Sequence, residues 1–104
     1  MVYCRRMYEI LKSSTFDVWL RSLRDRDAKA RIEVRVRRLS LGNPGQFRSL
    51  KDGINELKID YGPGYRVYYT FKGTTLVLLL CGSDKSTQSK DIRLATEIAA
   101  CWES

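Results

Sequence analysis

Residues 55–70 read NELKIDYGPGYRVYYT and decide the fold. Leu57 and Ile59 alternate with charged residues before the turn Gly62-Pro63-Gly64, and Val67 stands in a similar alternation after it. A period of two is typical of a strand with one buried face, while glycine and proline provide the torsions of a tight turn. This stretch therefore predicts a β-hairpin with a core face and an opposite face.

The sequence on either side of this hairpin predicts one α+β domain over residues 1–104. The expected elements, in order, are an edge strand at residues 3–11, a helix capped by Ser14, a helix capped by Asp25 and ended by Gly42 and Pro44, a short strand at 46–51, the hairpin, a strand at 76–81, a polar corner at 82–86 and a helix over 86–102. Apolar residues at helical spacing and cap residues before them support the two helices. The result is a strand, a helical hairpin, an antiparallel sheet and a closing helix.

Chain length and hydropathy bound the class of protein. A chain of 104 residues fits one modest core. No window reaches the roughly 18 apolar residues that a membrane span needs, and the first ten residues lack the apolar segment of a signal peptide. We therefore expect a cytoplasmic protein without a membrane partner.

Cysteine and histidine usage exclude several kinds of site. The chain has three cysteines, Cys4, Cys81 and Cys101, with no C-x-x-C pair, and it has no histidine. The odd, dispersed cysteines argue against a disulfide framework and a thiolate zinc site. The absence of histidine excludes a Ser-His-Asp triad and a Cys-His nucleophile. We expect neither metal nor cofactor, which leaves lysine, arginine, tyrosine and carboxylates for chemistry.

The chain is strongly basic. It has 19 Lys and Arg against 12 Asp and Glu, for a net charge of +7. Within residues 21–38, eight basic side chains against three acidic ones give a local net charge of +5. A basic domain of this size often meets nucleic acid, ribosomes, anionic membranes or an acidic protein. A solvated helix surface explains the same charge, so charge alone does not identify a partner.

The face of the hairpin opposite its core carries the chemically useful groups. Alternation places Lys58, Arg66 and Tyr68 there, with Glu56 and Asp60 nearby. The polar corner after residue 81 adds Lys85. Guanidinium and ammonium groups in such an arrangement are suited to binding a phosphodiester. An ordinary exposed sheet face with cross-strand ion pairs accounts for the same pattern.

The runs DYGPGYRVY (60–68) and LLCGSDKSTQ (79–88) resemble the addiction-module killer proteins, also described as phage-derived Gp49-like or HigB-type toxins, of the RelE/ParE superfamily. The resemblance covers about residues 14–98. It implies a four- to five-stranded, mainly antiparallel sheet with the helical hairpin on one face. It also implies a cognate antitoxin, usually with a HigA-like helix-turn-helix. RelE-like members cut messenger RNA on the ribosome without a metal ion, by orienting the ribose 2′-hydroxyl for attack on the adjacent phosphorus.

The resemblance also assigns roles to individual residues. The basic residues of the family fall on Arg66, Lys58 and Lys85, and the candidates for a general base are Tyr68, Lys58 and Asp84. The chain departs from RelE where Glu56 replaces a lysine and Asp91 replaces a functional tyrosine. Further contacts with RNA are expected from four basic residues, namely Arg31, Arg35, Arg38 and Lys72.

Three functions follow from these observations. The first is a toxin that acts as a ribosome-dependent messenger RNA endoribonuclease, with ribosome, messenger RNA and antitoxin as partners. The second is a ParE-like toxin that inhibits DNA gyrase and cuts no RNA. The third is a non-catalytic basic binding protein that acts in autoregulation with its antitoxin. The basic helix suits all three, because it can contact RNA phosphates or an acidic segment of the antitoxin.

Overall fold

A computed structural model describes residues 7–84 and 88–102 and contains the predicted kinds of element. They are β1 (Glu9–Lys12), α1 (Ser14–Ser22), α2 (Arg26–Ser40), β2 (Phe47–Ser49), a single 3-10 turn (Lys51–Gly53), β3 (Asn55–Ile59), β4 (Tyr65–Lys72), β5 (Leu76–Asp84) and α3 (Gln88–Cys101). The predicted α+β fold, with a helical hairpin and a C-terminal helix, is confirmed. No helix among these residues is long and apolar enough to cross a membrane. Of the edge strand expected at residues 3–11, residues 3–6 lie outside the described residues, and the described part forms β1 from Glu9 onward.

The five strands form one sheet in the order β1-β5-β4-β3-β2. The pairs β2–β3, β3–β4 and β4–β5 are antiparallel, because short turns connect them. Strand β1 is parallel to β5. In the turn between β3 and β4, Gly62 and Gly64 have φ values of 58° and 85°, a left-handed conformation that glycine adopts without strain. The predicted hairpin and the mainly antiparallel sheet are confirmed.

Caps set where the two N-terminal helices begin. The Asp25 carboxylate accepts hydrogen bonds from the backbone N–H groups of Asp27 (2.9 Å) and Ala28 (3.2 Å), so the predicted cap of α2 is confirmed. The cap of α1 is Ser13 and not Ser14 as predicted. The Ser13 hydroxyl accepts from the Phe16 N–H at 3.0 Å and also donates to the Leu80 carbonyl. This second bond, which links the helix start to β5, favours Ser13.

Both faces of the sheet are covered, one of them only in part. Leu57, Ile59, Val67 and Tyr69 pack against the helical hairpin, as the alternation predicts. The opposite face packs against α3 through a second cluster of buried residues, which are Ile54, Tyr68, Leu78, Leu80, Cys81 and Ala95. The face that carries the candidate site is therefore open only where α3 does not reach.

Strand β5 runs further than the sequence predicts. Ser83 pairs with Arg66 and Asp84 pairs with Tyr65, so the expected polar corner at residues 82–84 is instead part of the sheet. The longer strand has a physical reason, since pairing with β4 gives the backbone N–H and C=O groups hydrogen-bond partners that a loop would have to find in water. Along β5, Cys81 pairs with Tyr68 and Leu79 with Tyr69, so Leu80 is an extra residue at a bulge.

The two described cysteines should differ sharply in reactivity. Cys81 is buried, its thiol donates to the Asp91 carbonyl at 3.5 Å, and burial, followed by the nearby Asp91 charge, raises its pKa to about 12. Cys101 is exposed. Because alkylation needs an accessible thiolate, iodoacetamide at mildly alkaline pH should label Cys101 and spare Cys81, as read by peptide mass spectrometry. Denaturant should expose Cys81, and equal labelling of both in the native protein would contradict this packing.

Candidate functional site

Two cations lie side by side at the end of the sheet near the glycine-rich turn. Lys58 on β3 is the direct cross-strand neighbour of Arg66 on β4; Lys58 is half-buried, and the Arg66 side chain is nearly buried. Such neighbours have their Cβ atoms about 4.5–5.5 Å apart. Both residues line a pocket of about 330 Å³ that also includes the turn residues Gly62, Pro63 and Gly64. The structure thus brings two of the predicted site residues together at an accessible place.

A buried carboxylate organises the neighbouring row of residues. Glu56 is completely buried, and its Oε1 accepts a hydrogen bond from Arg66 Nη1 at 2.8 Å. Arg48 Nη2 on β2 lies 3.5 Å from the same oxygen. The side chain of Arg66 is 11% exposed and that of Arg48 is 52% exposed. We call these three residues the Arg48–Glu56–Arg66 triad; it contains the cross-strand ion pair that the alternation suggested.

Tyr68 lies on the predicted face but is not exposed there. Its side chain is completely buried in the cluster beneath α3, and its hydroxyl has no hydrogen-bond partner of good geometry among residues 7–84 and 88–102. Burial raises its pKa to about 12, although the nearby Ser83 hydroxyl opposes the rise. The phenol is therefore neutral at physiological pH. The expectation that Tyr68 projects from an open face is wrong, because α3 covers it.

The two remaining candidates for catalysis, Asp84 and Lys85, are consecutive in the sequence. Lys85 lies outside the described residues. Asp84, which precedes it, ends β5 opposite Tyr65 and is half-buried, so the chain leaves β5 at the same end of the sheet as Lys58 and Arg66. No group of three or more acidic or cysteine side chains among residues 7–84 and 88–102 is arranged to hold a metal ion.

The predicted RNA contacts do not all lie in one place. Lys72 ends β4 six residues from Arg66, which is roughly 20 Å at about 3.3 Å per residue. The three predicted arginines, all of them on α2, instead line a second pocket of about 640 Å³ beside the end of β3. The structure therefore separates Lys72 from Arg31, Arg35 and Arg38.

Within that second pocket the three arginines differ in their contacts. Arg35 donates hydrogen bonds to the carbonyl oxygens of Lys58 (2.6 Å), Gln46 (2.8 Å) and Pro44 (3.0 Å), which ties α2 to the sheet. Its pKa is lowered, mainly by burial and next by Arg38. The Arg31 guanidinium lies 4.5 Å from the centroid of the Tyr61 ring. Arg31 and Arg38 are exposed, so they are better placed than Arg35 to meet a partner.

Sequence reasoning missed Arg48. The sequence predicts a short strand at residues 46–51 but not its register against β3. Arg48 pairs with Glu56 across β2 and β3, which places its side chain on the same face as Lys58 and Arg66. Period-two alternation along a three-residue strand is too short to indicate this by itself.

Comparison with known proteins shows the family to which the chain belongs. The family described as phage derived protein Gp49-like (DUF891) matches residues 18–99, which include both strands that carry the paired cations. An uncharacterized protein of Haemophilus influenzae is 52% identical over 91 residues, covering 88% of this chain and 92% of the relative. The chain therefore belongs to the Gp49-like family of phage-derived proteins, a family of RelE-like and toxin-like proteins.

Proposed function

We propose that this protein is the toxin of a type II toxin–antitoxin pair and that it inhibits translation by cutting messenger RNA on the ribosome. The observation that carries the proposal is the direct pairing of Lys58 with Arg66 at the accessible end of the sheet. Two adjacent cations on rigid strands are suited to stabilising the charge that develops on a phosphate. Membership in a toxin-like family supports the same function.

The proposed reaction needs no metal ion. The ribose 2′-hydroxyl loses a proton and attacks the adjacent phosphorus, the bond to the 5′-oxygen breaks, and that oxygen takes up a proton. Arg66 and Lys58 stabilise the additional charge on the phosphate oxygens. Where Asp84 accepts the proton, Lys58 stays charged beside Arg66; where a neutral Lys58 accepts the proton, Lys58 becomes a cation in that same step. Both residues lie at this end of the sheet, and Lys85 is proposed as a further cation. In this scheme Tyr68 supports the sheet under α3.

The proposed partners are the ribosome with its messenger RNA and a cognate antitoxin of the helix-turn-helix, HigA-like kind. The exposed Arg31 and Arg38 can contact ribosomal RNA phosphates or an acidic antitoxin segment. Arg35 contributes indirectly, because it holds α2 against β3. These partners place the protein in the cytoplasm.

One observation favours a second candidate function, a non-catalytic binding protein that acts in autoregulation with its antitoxin. Arg66 is paired with Glu56, and Tyr68 is buried. Arg66 and Tyr68, two groups that a nuclease would use, therefore make contacts that stabilise the fold. A protein of this kind binds its antitoxin but leaves messenger RNA intact. The ParE-like alternative, inhibition of DNA gyrase, differs from both in its target.

Expression of the chain alone, followed by mapping of message 5′ ends, tests the proposal. The wild-type protein should arrest growth and cut translated messages, and Lys58→Ala should lower cleavage by about 100-fold or more, the typical loss for one group that stabilises charge in the transition state. Lys12→Ala is the control. Lys12 is exposed on β1, so this substitution removes the same charge three strands away from β3, which carries Lys58.

The other outcomes point to the alternatives. Gyrase-dependent DNA breaks with intact messages would replace the proposal with the ParE-like function. Absence of growth arrest, together with binding of an antitoxin, would favour the non-catalytic protein. Cleavage by Lys58→Ala at the wild-type level would show that Lys58 takes no part in the reaction.

A further inference from the structure

Two guanidinium groups converge on one buried oxygen. Glu56 Oε1 lies 2.8 Å from Arg66 Nη1 and 3.5 Å from Arg48 Nη2. The three residues come from three adjacent strands, β2, β3 and β4, so their backbones are fixed by the sheet. The carboxylate itself has no exposed surface. A ligand on this face therefore meets the arginines, and Glu56 lies beneath them.

The triad has more positive charge than its carboxylate balances. Arg66 already gives Glu56 a close, nearly buried counter-charge, so the ion pair does not require Arg48. With Lys58 beside Arg66, three cations against one carboxylate give these four side chains a net charge of +2. Arg48 carries the exposed part of this excess, since about half of its side chain is open to solvent.

Stability alone gives Arg48 little reason to be held at this place. A half-exposed arginine at 3.5 Å from a carboxylate that already has a closer partner contributes little to stability. In contrast, arginine donates several parallel hydrogen bonds to phosphate, a geometry that lysine does not offer. Lys58 lies two residues along β3 from Glu56, or roughly 7 Å. A single strand of RNA that places one phosphate at Lys58 and Arg66 can therefore bring a neighbouring phosphate to Arg48.

We propose that Arg48 forms, with Arg66, a second phosphate-binding subsite for single-stranded RNA, next to the Lys58–Arg66 pair, and that Glu56 positions both guanidiniums. The identity of the ligand rests on the function proposed above. The role of Arg48 is to hold the RNA strand at the edge of the sheet.

Salt dependence of RNA binding tests this subsite directly. A short single-stranded RNA with 2′-O-methyl groups cannot undergo attack by its own 2′-hydroxyls, so its binding is separable from cleavage. Fluorescence anisotropy across a series of KCl concentrations gives the slope of log affinity against log salt. Each lost contact with a phosphate of a single strand should make that slope shallower by about 0.7. We expect this change for Arg48→Ala.

Two further variants separate a specific contact from general charge. Arg21→Ala is the matched control, because Arg21 is an exposed arginine paired with the carboxylate of Asp17 on α1, on the other side of the sheet; its slope should equal that of the wild type. Arg48→Lys should keep the wild-type slope but bind more weakly, since it retains the charge and loses the planar fork. Unchanged circular dichroism spectra confirm that each variant is folded.

The outcomes distinguish this inference from the proposed function. An unchanged slope for Arg48→Ala, an equal change for Arg21→Ala, or no binding by the wild type at low salt would overturn the subsite. If the slope falls by the expected amount and expression in cells cuts no message, the subsite stands and the nuclease function fails. If messages are cut and Arg48→Ala keeps the full slope, the nuclease function stands and the subsite fails.

Discussion

Replacing Arg66 by alanine is expected to abolish growth arrest and to lower the free energy of unfolding by about 3 kcal/mol, the lower end of the usual loss when one partner of a buried ion pair is removed. Glu56 is completely buried, and Arg66 is its closest described cation. Arg48 at 3.5 Å offsets part of the loss, which is why the lower end is expected. Urea unfolding, followed by tryptophan fluorescence, measures the change in stability.

A double variant separates the structural role of Arg66 from its proposed role at the phosphate. Glu56→Leu with Arg66→Met replaces the pair by apolar side chains of similar size, a change that is often neutral or stabilising for buried pairs. The double variant should regain most of the stability that Arg66→Ala loses. Growth arrest should remain absent, because the guanidinium is missing. A toxic double variant would show that Arg66 serves the fold alone.

The sequence predicted well those features that depend on neighbouring residues. Alternation within residues 55–70 correctly assigned Val67 and Tyr69 to the core and Lys58 and Arg66 to the opposite face, because the side-chain period of a strand is local. Asp25 was found for a similar reason, since a cap and the N–H groups it accepts lie within three residues.

The missing features all depend on contacts between distant parts of the chain. The pattern of residues 86–102 indicates a helix but not the sheet face on which it packs, so the burial of Tyr68 was not predicted. Arg48 and Glu56 meet through the register of β2 on β3. The cap of α1 is Ser13 and not the predicted Ser14, because the Ser13 hydroxyl also donates a hydrogen bond to Leu80, which is 67 residues away in the sequence. The periodicity of a single sequence gives no information about any of these contacts.

Gly82 shows how a residue that reads as part of a turn can serve packing. It pairs with Val67 in the middle of the sheet, on the face that meets the helical hairpin. The ring of Trp19 lies directly over it, so that a Cβ added at Gly82 would overlap the ring atoms Cζ3 and Cε3. Real Cβ atoms essentially never show contacts under 3.0 Å, so something would have to shift. Trp19 also touches Phe16 and Tyr65, which limits its freedom to move away.

Gly82→Ala is therefore expected to lower the free energy of unfolding by about 3 kcal/mol, the upper end of the usual cost of overpacking. For a domain of this size the melting temperature should fall by roughly 4–8 °C per kcal/mol. The same change in a Trp19→Leu background should cost much less, because leucine removes the ring that lies on Gly82. A double-mutant cycle measures this difference. An equal loss in both backgrounds would show that the ring is not what excludes a side chain at Gly82.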